Sequence, residues 1–204
     1  MADDACNKLR GTYLSIVNSG ISPLALNPST SIKVYNSVVT LKALYGCELW
    51  TSISAEDIIK LERSHRFCLK HIQGLPRNTA TNFTLCAIHA VPMETIVDYR
   101  KLVFLGQLCN LPNTYMAKHL FNSRLLYYEN FDKQHHGFIP DIRALLCKYE
   151  LHHILDQYIA EGLFPVKSVW KTMLRRHVTQ KKECKSVSRV FREVPLSWLI
   201  NITV

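Results

Sequence analysis

The chain has 204 residues, 48% of them apolar and 20% charged, with only seven glycines and eight prolines. That composition supports one ordinary domain or two small ones, and excludes a disordered tail. It also argues against a sandwich or barrel held by many tight turns. The 25 Lys and Arg outnumber the 16 Asp and Glu, giving a formal charge of +9. An excess of that sign points to a polyanion or an acidic surface as partner.

Helical periodicity dominates from the first residues. Asp3 and Asp4 suit the positive end of a helix that carries Ala5, Leu9, Tyr13, Ile16 and Val17 on one side. Asn18-Ser19-Gly20 ends it, and a linker with Pro23 follows. Pro28 suits the first turn of a second helix, through Ile32, Tyr35 and Val39 to Leu44. Tyr45-Gly46 breaks the pattern, with Gly46 placed as a helix C-terminal glycine. Ser54 followed by Glu56 and Asp57 caps a third helix running to about Gln73 and stopping at Gly74-Leu75-Pro76.

Helical stretches follow over 79–89 and 92–111, the latter bounded by Pro92 and Pro112, and then over 114–128. Asn130 to Gly137 reads as a polar loop. Pro140 opens a short helix to about Tyr149, Leu151 to Ala160 forms its neighbour, and a basic helix covers 166–183. No strand-period run exceeds about four residues. The expected fold is all-α: an irregular multi-helix bundle of about eight helices without significant sheet.

Seven cysteines are scattered, and the N-terminus lacks a basic start followed by an apolar run. The expectation is therefore an intracellular chain, nuclear or cytoplasmic and not secreted, with buried thiols rather than disulfides. The longest uncharged stretches are broken by Pro23 and Pro28 or are too short to span a bilayer, so no membrane role is expected.

The candidates for chemistry are weak. Ala2-Asp3-Asp4 has the look of a polymerase aspartate pair, but such a pair needs a β-hairpin and a third carboxylate. Its surroundings have helical spacing. Cys68, His71, Cys86 and His89 offer two short pairs of soft ligands for zinc, yet Cys68 lies on the apolar side of a helix. Pro140-Asp141 with Glu183-Cys184-Lys185 matches a metal-dependent nuclease pattern only as a bare string, in helical contexts. His135-His136 and His152-His153 fit solvated positions. No phosphate-cradling glycine loop or nucleophile elbow is present. No catalytic residue, metal or cofactor is assigned.

Cation placement is more informative. The third helix sets Ile58, Leu61, His65, Cys68, Leu69 and Ile72 in one arc, with Lys60, Arg63, Arg66 and Lys70 opposite. Four cations backing a core-facing stripe form a rail that phosphates could follow, or simply a solvated face. The basic helix repeats the pattern. Val166, Trp170, Met173, Leu174 and His177 face inward, and Lys167, Lys171, Arg175 and Lys182 share a flank. Nine cations from Lys167 to Arg192 meet only Glu183 as an opposing charge, so the rest of the chain is nearly neutral.

The stretch Leu41-Lys-Ala-Leu-Tyr-Gly-Cys-Glu-Leu-Trp50 resembles the segment just past the polymerase palm in reverse transcriptases of non-LTR retrotransposons. Leu61-Glu-Arg63 and Arg66-Phe-Cys68 resemble the following helix of that family, and Gln73-Gly-Leu-Pro76 its terminator. Arg100-Lys-Leu-x-Phe-Leu-Gly106 resembles the helix after that. Weaker similarity continues through Gly137-Phe-Ile-Pro-Asp141 and Phe164-Pro-x-Lys-Ser-Val-Trp170. The family's catalytic aspartates lie upstream of the matched region.

The resemblance therefore implies a non-catalytic thumb and post-thumb fragment. Residues 1–112 would be thumb-like, 113–185 a post-thumb region ending in the basic helix, and 186–204 a tail. The implied partner is template–primer or element RNA, RNA or DNA with little sequence choice, held through backbone phosphates. The alternative is a vestigial or protein-interaction helical domain whose cations meet an acidic protein.

Overall fold

In the computed structural model the described residues are 1–21, 26–51, 53–130 and 136–179. Among them the chain is all-α, as the periodicity predicts, and no strand forms. No helix is long and apolar enough to cross a membrane. Contacts divide the chain into two compact units, Met1–Lys101 with His135–Asp141, and Leu102–Gln134 with Ile142–Val204.

In the first unit, α1 (Ala2–Asn18) starts on Asp3 and Asp4 and buries Ala5, Leu9 and Tyr13 at successive i, i+4 positions. α2 (Pro28–Val34) has Pro28 in its first turn and an Asn27 side chain that accepts from the Ser29 N–H at 2.9 Å. A π-helical turn, Tyr35–Val39, leads directly into α3 (Thr40–Ala43). This extra residue in the turn re-phases the helix, so Tyr35, Val39, Ala43 and Leu44 all reach the core. Sequence periodicity predicts only a continuous helix here.

Gly46 then reverses the chain with φ +74°, followed by a 3-10 turn, Cys47–Leu49. α4 (Ala55–Ile72) begins where expected, with the Ser54 hydroxyl accepting from the Asp57 N–H at 3.1 Å. Its inward stripe is the predicted one: Leu61, His65, Cys68, Leu69 and Ile72 are buried, and Ile58 is half-buried. α5 is shorter than the predicted 79–89, covering only Thr81–Cys86, because the chain turns at His89, whose φ is +48°. α6 (Met93–Cys109) is capped by Glu62, whose carboxylate accepts from the Met93 N–H at 2.7 Å.

The first core joins Leu9, Tyr13, Tyr35, Leu44, Trp50, Leu61, Leu69, Ile72, Met93 and Val97. Arg100 donates to the Leu44 carbonyl at 3.0 Å and lies 4.0 Å from Glu48. The buried Lys101 pairs with Asp141 at 3.2 Å.

The second unit contains the end of α6, α7 (Met116–Asn130), α8 (Phe138–Lys148) from Ile142 onward, α9 (His152–Glu161) and α10 (167–179). α8 starts two residues before the predicted Pro140, which sits comfortably inside a first turn. Lys118 is buried and donates to the Cys109 carbonyl at 2.6 Å and to the Tyr158 hydroxyl at 2.5 Å. It thereby satisfies the last turn of α6. Arg143 bridges Glu129 and Asp156.

In α10, Trp170 and Leu174 are buried as predicted, while Met173 and His177 are only half-buried. Val166 is a correction: it is 67% exposed, because it precedes the first turn rather than sharing the inward face. The Trp170 indole N–H donates to the Leu102 carbonyl at 2.9 Å. Its ring lies against Gly106, where a Cβ would overlap the indole.

Two glycine replacements separate backbone cost from packing cost. Gly46→Ala meets open space, so only the positive φ opposes it, and a urea titration should show a loss of about 1 kcal/mol. Gly106→Ala must displace Trp170 and its hydrogen bond, and should cost about 3 kcal/mol or more. Equal losses for the two would overturn the Gly106–Trp170 packing.

Candidate functional site

The site-forming pair in the first unit is α1 and α4. Asp3 lies 3.3 Å from Lys60, and Tyr13 hydrogen-bonds His71 at 2.7 Å, so the two helices run parallel. Tyr35 donates its hydroxyl to His65 Nδ1 at 2.7 Å, leaving His65 Nε2–H to donate to the Val91 carbonyl at 3.2 Å. The Tyr13 and Tyr35 rings meet edge to face, 6.1 Å between centroids. These contacts fix how α4 is rotated.

That rotation opens a groove of about 620 Å³ along the outer side of the two helices. α1 contributes Arg10 and Leu14, one turn apart. α4 contributes Arg63, Arg66, Phe67, Lys70 and His71, all on one helical face. Leu75 and Arg77 close it from the segment beyond α4. Among the described residues five cations and no carboxylate line the groove.

The cations are held with different firmness. Arg66 is half-buried and fixed: its Nε donates to the Glu62 carbonyl at 3.2 Å and its Nη1 to the Thr81 hydroxyl at 2.7 Å. Lys70 donates to the Arg77 carbonyl at 2.6 Å and so draws Arg77 to the rim. The turn that brings Leu75 back is built by Leu75 N–H to the Lys70 carbonyl, 2.9 Å, and Gly74 N–H to that of His71, 3.2 Å. Gln73 ties this end to α5, donating to the carbonyls of Leu69 and Thr84 at 3.1 and 3.0 Å. The Arg10 guanidinium sits 5.4 Å from the Phe67 ring centroid.

Of the predicted rail, the structure gathers Arg63, Arg66 and Lys70. Lys60 is elsewhere, paired with Asp3 and, at 3.9 Å, with Asp57, and its pKa is raised by those carboxylates. Arg10 and Arg77 join the groove without any sequence signal, since neither belongs to the charged run on α4. Lys167, Lys171 and Arg175 belong to α10 of the second unit, where Lys167 and Arg175 are exposed and Lys171 half-buried. Lys182 lies outside the described residues.

The other candidates are placed as follows. Asp3 and Asp4 occupy the first turn of α1, with Asp4 also pairing Lys8 at 2.7 Å. Cys68 is core, its thiol pushed up to about 12 by burial, while Cys86 is exposed on α5 and His71 is bonded to Tyr13. Among the described residues, no three or more His, Cys, Asp or Glu side chains converge as a metal site would require. Asp141 pairs Lys101. His135 and Glu183 to Lys185 lie outside the described residues.

Comparison with protein-family models, with curated proteins and with solved structures gave no match to this chain.

Below the groove, His65 makes the unit sensitive to acid. Burial lowers its pKa from 6.5 to about 4. The unfolded imidazole therefore takes up a proton near pH 6.5 that the folded ring refuses until about pH 4. Stability from this group is complete above pH 6.5 and is lost as pH falls through that interval, by about 3 kcal/mol in all. Urea midpoints measured from pH 7 to 4 should fall more steeply for the wild type than for His65→Gln. Parallel pH profiles would show that another group is responsible.

Proposed function

We propose that this chain is a non-catalytic, thumb-like region of a non-LTR retroelement reverse transcriptase that binds nucleic acid through backbone phosphates. The observation that carries the binding is the α1–α4 groove, in which Arg10, Arg63, Arg66, Lys70 and Arg77 converge with no lining carboxylate among the described residues. Gathering cations with no acid among them opposes folding, and a phosphate backbone relieves that repulsion on binding. Lys60, on the same helix, is the counter-example, because Asp3 and Asp57 already neutralise it.

The family reading rests on the sequence resemblance. Residues quoted from separate segments touch within each unit: Arg100 with Leu44 and Glu48, Lys101 with Asp141, and Gly106 with Trp170.

The test is a binding isotherm across salt concentrations. Replacing Arg10, Arg63, Lys70 and Arg77 together with Gln should weaken binding of an RNA or DNA oligonucleotide. The log–log salt slope should fall by up to about three units, at about 0.7–0.9 per phosphate contact removed. Lys60→Gln should leave affinity and slope as they were. If the quadruple variant keeps both, the groove cations are solvated surface and the protein-interaction reading replaces this one.

A further inference from the structure

The groove is not a plain basic surface. Its cations lie around Leu14, Phe67 and Leu75, and Phe67 is half-buried with the Arg10 guanidinium over its ring, 5.4 Å from the centroid. A duplex would use only the cations. It presents phosphates on its outside and keeps its base faces stacked on one another, so it offers nothing flat to an apolar lining. A single strand offers both a phosphate row and free base faces.

The volume agrees with that choice. About 620 Å³ falls within the ~300–1,000 Å³ of sites that take a small organic ligand, enough for an unpaired base. Planar groups stack well on an aromatic ring and on a guanidinium, and every base has such a face. The fixed geometry of Arg66, anchored by Glu62 and Thr81, supplies a pre-set donor beside Phe67 in the chain.

We infer that the α1–α4 groove is a single-strand site. An unpaired base stacks against Phe67 and Arg10, and the adjoining phosphates are held by Arg63, Arg66, Lys70 and Arg77. This rests on the nucleic-acid reading above and narrows it to strands with exposed bases. Sequence preference should be slight, because stacking accepts any base.

Three labelled oligonucleotides of equal length separate the possibilities by fluorescence anisotropy: a single strand, the same strand made abasic at its central positions, and a duplex. The full chain should bind the base-bearing strand about ten-fold or more tightly than the abasic strand, ~1.4 kcal/mol per ten-fold. The duplex should bind no better than the abasic strand. Phe67→Leu, which keeps an apolar side chain in place, should abolish the preference while leaving abasic-strand affinity and its salt slope intact. Circular dichroism confirms that the variant is folded. Equal affinity of the wild type for base-bearing and abasic strands overturns the single-strand site and leaves phosphate binding standing. That comparison requires no variant. Binding to none of the three overturns both.

Discussion

Two hydroxyl–imidazole hydrogen bonds, Tyr13 to His71 and Tyr35 to His65, decide how α4 is turned within the first unit. An apolar stripe alone tolerates small rotations and slips, because hydrophobic burial is not directional. The buried Tyr35–His65 bond does not, since leaving its donor or acceptor unpaired costs ~1–3 kcal/mol, and the part-buried Tyr13–His71 bond adds a second fixed point. With α4 fixed, the face bearing Arg63, Arg66, Phe67 and Lys70 must lie alongside Arg10 and Leu14 of α1. The groove is thus a by-product of how the core is pinned. Tyr13 has a double part in this, holding His71 at the groove and meeting the Tyr35 ring inside.

The handling of charge in this unit is selective. At one end of the α1–α4 pair, Asp3 and Asp57 flank Lys60, and Asp4 flanks Lys8. Further along the same two helices no carboxylate among the described residues lines the groove, and Glu62, 4.0 Å from Arg66, also caps α6. Exposed ion pairs contribute little to stability, so the difference between the two ends is chiefly one of electric potential. It concentrates positive potential over the groove rather than spreading it along the helix.

The all-α class, the Ser54 cap, the Gly46 turn and the buried stripe of α4 were legible in the sequence because each depends on neighbours within a few residues. Helix period, side-chain capping and positive φ are local requirements. The candidate site was legible only in part, for the opposite reason. Arg63, Arg66 and Lys70 declare themselves by shared spacing, but Arg10 comes from another helix and Arg77 from the turn after α4. Nothing in their own surroundings marks them. Lys60 fits the spacing and is removed from the set by Asp3, more than fifty positions away in the chain. The π turn at Tyr35–Val39 was also hidden, since the i, i+4 spacing of Tyr35, Val39 and Ala43 is equally that of an ordinary helix face. Val166 misled because a helical arc drawn past the true start of α10 still counts it.

The Trp170 indole reaches a carbonyl 68 residues earlier in the chain and rests on the bare backbone of Gly106. This has a consequence for the order in which the protein is made. On the ribosome, α6 emerges complete while the ring that covers its glycine has still to be synthesised. At ~5–20 residues per second the interval is several seconds, long compared with the microseconds in which a helix forms. The second unit therefore cannot finish its core as it emerges. During synthesis the face of α6 at Gly106 waits for its Trp170 cover until α10 arrives.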